Sequence, residues 1–120
     1  AQAHTRAETL RYMGFRMRTA MSQMRMPGPE ALTLKLAYAN HWILTAELAT
    51  EILGAGAMLW ADDAPEDNQW GQHLLGQFAI RIGGGTDEIQ HNIIAERGLG
   101  LPREPQLDKD MPWRVSNKVG

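Results

Sequence analysis

Three consecutive glycines, Gly83-Gly84-Gly85, separate two apolar stretches and constrain this chain more than any other feature. A helix cannot run through them cheaply, because glycine has the most backbone freedom to lose. Thr86 or Asp87 is well suited to cap a new helix immediately afterwards. The chain is therefore expected to turn a tight corner there, with bare backbone open to close approach by a ligand. The first-turn amides of the following helix are unpaired donors that suit an anionic or carbonyl-bearing group. The same glycines leave a gap: a carboxylate needed at this corner would have to come from elsewhere.

Periodicity and breakers predict four helices around this corner. The first covers about residues 5–25, where Leu10, Met13, Met17, Met21 and Met24 form one apolar stripe and Arg11, Arg18 and Arg25 repeat on another face. Pro27-Gly28-Pro29 ends it, and Pro29 with Glu30 suits the start of the second helix, about residues 29–53. That helix carries two stripes, Leu32-Leu36-Ala39-Ile43-Ala46-Leu53 and Leu34-Tyr38-Trp42-Leu48-Ile52. Apolar on two sides, it belongs at the centre of a bundle or at an interface. An acidic surface loop is expected over residues 61–68. A third helix, about residues 70–82, repeats Trp70, Leu74, Phe78 and Ile82. The fourth, about residues 87–97, carries Ile89, Ile93 and Ile94 and ends at Gly98 and Pro102. No alternating segment argues for a sheet. The expected fold is all-α, an up-and-down helical bundle over residues 1–105 with a polar tail over residues 106–120.

A net charge of -2 gives no general reason to expect nucleic acid or an anionic membrane, and no apolar run approaches a membrane span. Cysteine is absent, which removes disulfide and thiol chemistry and fits a cytoplasmic setting. The chain does not begin with methionine, so a processed chain or a fragment is expected.

Four histidines raise the question of a metal. His4, His41 and His73 lack ligands at helical spacing and read as surface or interface residues. Glu88-Ile89-Gln90-His91 has the Glu-x-x-His spacing of di-iron bundles, but those need a second such pair and two further glutamates. Glu51 and Glu96 are the remaining candidates, and neither precedes a histidine by three residues. No metal site is expected. The methionine stripe reads as core rather than a peptide groove, and the arginine face as solvated rather than phosphate-binding. No Ser-His-Asp, Walker or dinucleotide pattern occurs; a helix, not a strand, precedes the glycines.

The run from Ile82 to Arg97, Ile-Gly-Gly-Gly-Thr-Asp-Glu-Ile-Gln-His-Asn-Ile-Ile-Ala-Glu-Arg, resembles the last-helix signature of the acyl-CoA dehydrogenases. Gly98-Leu99-Gly100-Leu101-Pro102-Arg103-Glu104-Pro105 resembles endings common in actinobacterial members. Glu51-Ile52-Leu53-Gly54-Ala55-Gly56 lies where the family carries a Gln-Ile-x-Gly-Gly flavin-contacting turn. The resemblance covers about residues 5–105 and implies a C-terminal helical domain, with the family's N-terminal and middle domains absent. It implies FAD as cofactor, an acyl-CoA thioester as substrate, an electron-transferring flavoprotein as electron acceptor, and a homo- or hetero-oligomer.

In the family a carboxylate removes the α-proton while the β-hydride passes to the flavin, and hydrogen bonds stabilise the developing enolate. Many members place that carboxylate immediately before the Gly-Thr pair, where this chain has Gly84; some branches take it from an earlier helix, and heteromeric members can lack it in one subunit. The resemblance thus implies no catalytic base in this chain. It maps Gly84 onto a substrate-facing position and Gly85, Thr86 and Glu88 onto flavin contacts. Glu51, Gly54 and Ala55 map onto a turn that approaches the flavin diphosphate of a neighbouring subunit. Glu51 and Ala55 depart from the family's Gln and Gly there, and an acidic side chain repels a diphosphate. A second reading therefore stays open: a helical oligomerisation module whose flavin contacts have decayed.

Overall fold

The computed structural model describes residues 1–60 and 63–103. Four helices follow in order: α1 (Gln2–Ser22), α2 (Glu30–Leu53), α3 (Gln69–Ile82) and α4 (Asp87–Ile93), the last continuing as a π-helical turn over Ile94–Gly98. Short 3-10 turns occupy Gly54–Met58 and Pro65–Asn68. No strand occurs among the described residues, as the absence of alternation predicts.

Helix α2 is the axis of the bundle, in contact with α1, α3 and α4. Arg16 of α1 reaches Glu30 at the start of α2 (3.4 Å), and Arg6 faces the same groove as Glu47, so α1 and α2 are antiparallel. Against α3, Lys35 meets Arg81 while Trp42 meets His73, an antiparallel pairing again. Helix α4 returns over the first turns of α2, where Gly98 packs beside Leu32 and Pro29.

The first helix begins and ends three residues earlier than its stripe suggests. Met24 takes a left-handed conformation (φ 53°), the amide of Arg25 bonds the carbonyl of Ala20, and that of Met24 bonds Met21. This is a Schellman termination with a methionine where glycine is usual. The proline pair is thus not what stops α1. The methionine stripe is corrected with it: Leu10, Met13 and Met17 are half-buried, but Met21 and Met24 are 63% and 98% exposed.

The start and end of α2 fall where Pro29 and Gly54 place them. Its two stripes fare differently. Ala39, Ala46 and Ala49 are buried, and small side chains there let the neighbouring helices approach closely. In the second stripe Trp42 packs against α3, while Tyr38, Leu48 and Ile52 stay exposed. The α3 stripe also splits: Trp70 and Leu74 are half-buried, whereas Phe78 and Ile82 face outward. The expected acidic loop is partly a 3-10 turn, whose last residue, Asn68, is buried with left-handed backbone. Residues 61, 62 and 104–120, which include most of the expected tail, lie outside the described residues.

The described chain measures 56 × 46 × 22 Å. A helix with its side chains is about 10–12 Å across, so the bundle is a slab two helices thick. Among the described residues the buried apolar set is three alanines, and no large side chain is fully buried.

Candidate functional site

The glycine corner forms between α3 and α4, where the sequence places it. Helix α3 ends as the amide of Gly83 bonds the carbonyl of Ala79 at 2.8 Å. Gly84 (φ 71°) and Gly85 (φ 100°) then turn the chain through conformations that side-chain-bearing residues rarely adopt. A Cβ on Gly84 would meet no atom within 4 Å, so this backbone lies open. Thr86 caps α4, its hydroxyl accepting from the amide of Ile89 at 3.4 Å.

The second capping candidate is corrected. Asp87 is 8% exposed and turns inward instead of capping, accepting from Arg81 Nε at 2.8 Å and lying 3.6 Å from Lys35 Nζ. Lys35 also donates to the carbonyls of Gly85 (2.7 Å) and Arg81 (3.2 Å). Buried Gln90 donates to the carbonyl of Gly84 at 2.8 Å. The carbonyls of Gly84 and Gly85 are thereby engaged by Gln90 and Lys35, while the Gly84 backbone itself stays open. A recess of about 260 Å3 beside it is lined by Phe78, Arg81, Ile82, Thr86, Asp87 and Glu88. That is smaller than the roughly 300–1,000 Å3 of a complete small-molecule pocket. Phe78 and Ile82, which line the recess, are largely exposed, and Ile89 on α4 is exposed as well.

Glu88 is exposed. Its own backbone amide, and then the Thr86 hydroxyl, hold its carboxylate below the usual carboxylate range. A general base works best with proton affinity near the ambient pH, and Glu88 is shifted the other way. Asp87 is engaged by two cations. Neither carboxylate is set up to remove a proton, and Gly84 supplies none.

The turn after α2 lies far from this corner. Gly54 has left-handed φ (54°) and open space where a Cβ would sit, and Glu51 and Ala55 are exposed. Sixteen residues of helix separate Lys35, which touches the corner, from Glu51, about 24 Å along α2 at the usual helical rise. One chain therefore does not bring Gly85, Thr86 and Glu88 together with Glu51, Gly54 and Ala55; they form two separate surfaces.

The histidines are dispersed. His4 is exposed, and His91 Nδ1 lies 2.7 Å from the carbonyl of Asp87. His73 stacks on Trp42 (4.1 Å between centroids) and places Nε2 2.9 Å from Thr45 Oγ1. His41 is half-buried, its Nδ1 without a hydrogen bond. Glu96 pairs with Arg103 at 2.7 Å. Among the described residues no three His, Asp or Glu side chains gather as metal ligands. On α1, Arg11 pairs with Glu8 and lies with Arg18 against the ring of Phe15, so these arginines pack on aromatics rather than standing free.

Lys35, Arg81 and Gln90 were not singled out from sequence. Lys35 and Arg81 left a signal, each being a lone cation inside an apolar helical stretch. Gln90 lies within the run over residues 82–97, but nothing there marked its inward turn, since a polar residue next to Ile89 suits a solvated face equally well.

The described chain is thus an all-helical bundle whose glycine corner lies beside a small recess. The chain matches "Acyl-CoA dehydrogenase, C-terminal domain" over residues 1–99 and belongs to that family. It is 42% identical over 81 residues to the acyl-CoA dehydrogenase IpdE1 of Mycobacterium tuberculosis, covering 68% of this chain and 20% of that protein. With the acyl-CoA dehydrogenase FadE26 of the same organism it shares 30% over 114 residues, 86% of this chain and 27% of the relative. The chain thus spans about a fifth to a quarter of the length of these relatives. Among solved structures it is similar to the Tcur3481-Tcur3483 steroid ACAD (TM-score 0.77, 25% identity, 87% of this chain and 28% of that one). It is also similar to the ChsE4-ChsE5 complex from Mycobacterium tuberculosis (TM-score 0.75, 28% identity, 84% and 26%). No described helix is long and apolar enough to cross a membrane.

Proposed function

We propose that this chain is the C-terminal portion of an FAD-dependent acyl-CoA dehydrogenase, acting in the cytoplasm on an acyl-CoA thioester and passing electrons to an electron-transferring flavoprotein. The observation that carries this reading is the open, inwardly braced backbone at Gly84 and Gly85, beside an exposed apolar surface. A flat, amphipathic ring system fits such a wall, because nothing projects from the glycines to hold it off.

Gly85, Thr86 and Glu88 would hold the flavin at this corner, and Gly84 would face the thioester. The turn at Glu51, Gly54 and Ala55 would meet the flavin of a neighbouring subunit, in keeping with its distance from the corner. Bound FAD supplies the hydride acceptor. The residues of this chain position and exclude water: Phe78, Ile82 and Ile89 cover the apolar side, and the glycines permit contact. The base is not at Gly84. It belongs to an earlier helix or to a partner subunit.

A second reading has its own support. Glu51 places an exposed carboxylate beside Gly54 and Ala55, which is unfavourable next to a diphosphate. On that reading the chain is a non-catalytic helical module of a hetero-oligomer. Flavin content separates the two. The full-length protein, purified alone and with candidate partner subunits, is expected to carry flavin in at least one state. A preparation that is flavin-free in every state overturns the first reading and favours the second.

A further inference from the structure

Lys35 lies in a stretch of α2, Ala31 to Ala39, whose other residues are apolar except Thr33. It is only a quarter exposed, yet its ammonium reaches two carbonyls and a carboxylate: Gly85 at 2.7 Å, Arg81 at 3.2 Å and Asp87 at 3.6 Å. The two carbonyls lie on either side of Gly83 and Gly84, one in the last turn of α3 and one on Gly85 just before the Thr86 cap. An ammonium has three donors in a flexible fan, which suits joining points that no single helix connects. Asp87 Oδ1 is buried and accepts no hydrogen bond, so Lys35 balances its charge from across the gap. Glycines cannot hold their own conformation, because they have no side chain to pack and the widest choice of backbone angles. Something outside the corner has to select one.

We propose that Lys35, anchored by Asp87, is a positioning residue that fixes the backbone of Gly84 and Gly85 where it meets the flavin. Gln90 makes the complementary hold on the Gly84 carbonyl from within α4. Lys35 touches neither flavin nor substrate; it acts through the peptide groups it grips. This inference rests on the flavin reading above.

The test compares Lys35→Met with Trp42→Phe in the full-length flavin-containing protein. Trp42→Phe removes the Trp42 Nε1 bond to the His73 carbonyl between the same two helices, remote from the corner. It serves as the control for general loosening of α2 against α3. Three readouts are taken at equal distance below each variant's melting temperature: the flavin dissociation constant, the position of the flavin's visible absorption band, and backbone hydrogen exchange over residues 83–90.

Lys35→Met is expected to weaken flavin retention at least tenfold more than Trp42→Phe, about 1.4 kcal/mol. It should also shift the absorption band and speed exchange over residues 83–90 while leaving α1 unchanged. Lys35→Arg, which keeps the cation, should recover part of the loss. If Lys35→Met does not fold, Asp87→Asn replaces it, since Arg81 can still bond the amide oxygen; a smaller loss of the same kind is expected. Equal flavin retention in the Lys35 and Trp42 variants, with the band unmoved, overturns the positioning role and leaves the flavin reading standing. A wild-type protein that takes up no flavin overturns both.

Discussion

At Gly85 the backbone angle and the packing both oppose a side chain. Its φ of 100° is costly for any L-residue, and an added Cβ would lie 3.0 Å from Gln90 Nε2 and 3.4 Å from Ile89 Cγ2. Gln90 cannot give way without releasing the Gly84 carbonyl. Gly84 differs: its φ of 71° is strained for alanine, but the space around it is empty. Gly84→Ala is therefore expected to cost about 1 kcal/mol of stability, the usual penalty for left-handed backbone. Gly85→Ala should cost about 2–3 kcal/mol, because strain and a lost, partly buried hydrogen bond add. Denaturant titration of the two variants checks the order, and equal losses would show that Gln90 does not brace the turn. At this scale the sequence was informative where glycine and threonine leave no alternative. It misled at Asp87, because a carboxylate after a glycine turn looks the same whether it caps the helix or turns inward to distant cations. Lys35 lies more than fifty residues away in sequence, and its meeting with Asp87 arises only from folding.

Among the elements, the α2–α3 contact is the one that should respond to pH. His73 stacks on Trp42, and burial, opposed by a hydrogen bond with Trp42 and reinforced by nearby His41, lowers its pKa from the ordinary 6.5. The folded state then binds fewer protons at His73 than the unfolded chain does, so stability rises with pH across this window. The contribution is fully present above 6.5 and is lost as the pH falls from there through the lowered folded value. Denaturation at about pH 7.5 and about pH 5 should show lower stability in acid, with the difference reduced in His73→Gln. A slope unchanged by that substitution would place the titration elsewhere. Element boundaries were legible to different degrees. Pro29, Gly54 and the glycine corner set theirs chemically, and α2, α3 and α4 start or stop there. The end of α1 was not legible, because methionine carries no signal for the left-handed turn that Met24 adopts. Nor could the stripes say which apolar residues would be covered: periodicity gives the face of a helix, not its partner.

At the scale of the whole molecule, the described residues form a slab whose buried apolar residues are three alanines, with Phe78, Ile82, Ile52 and Trp60 exposed. Such a surface has the character of a component packed into a larger assembly, consistent with the fraction of its relatives' length that the chain spans. Under the proposed function, this component would contribute a backbone wall for flavin and thioester, without the base. The most direct test is anaerobic addition of acyl-CoA to the flavin-containing full-length protein, alone and with its partner subunits, while the flavin's visible absorbance is followed. Acyl-CoA is expected to bleach that absorbance in at least one of these states. Flavin that stays oxidised with every acyl-CoA and every partner, or a protein that holds no flavin at all, would contradict it.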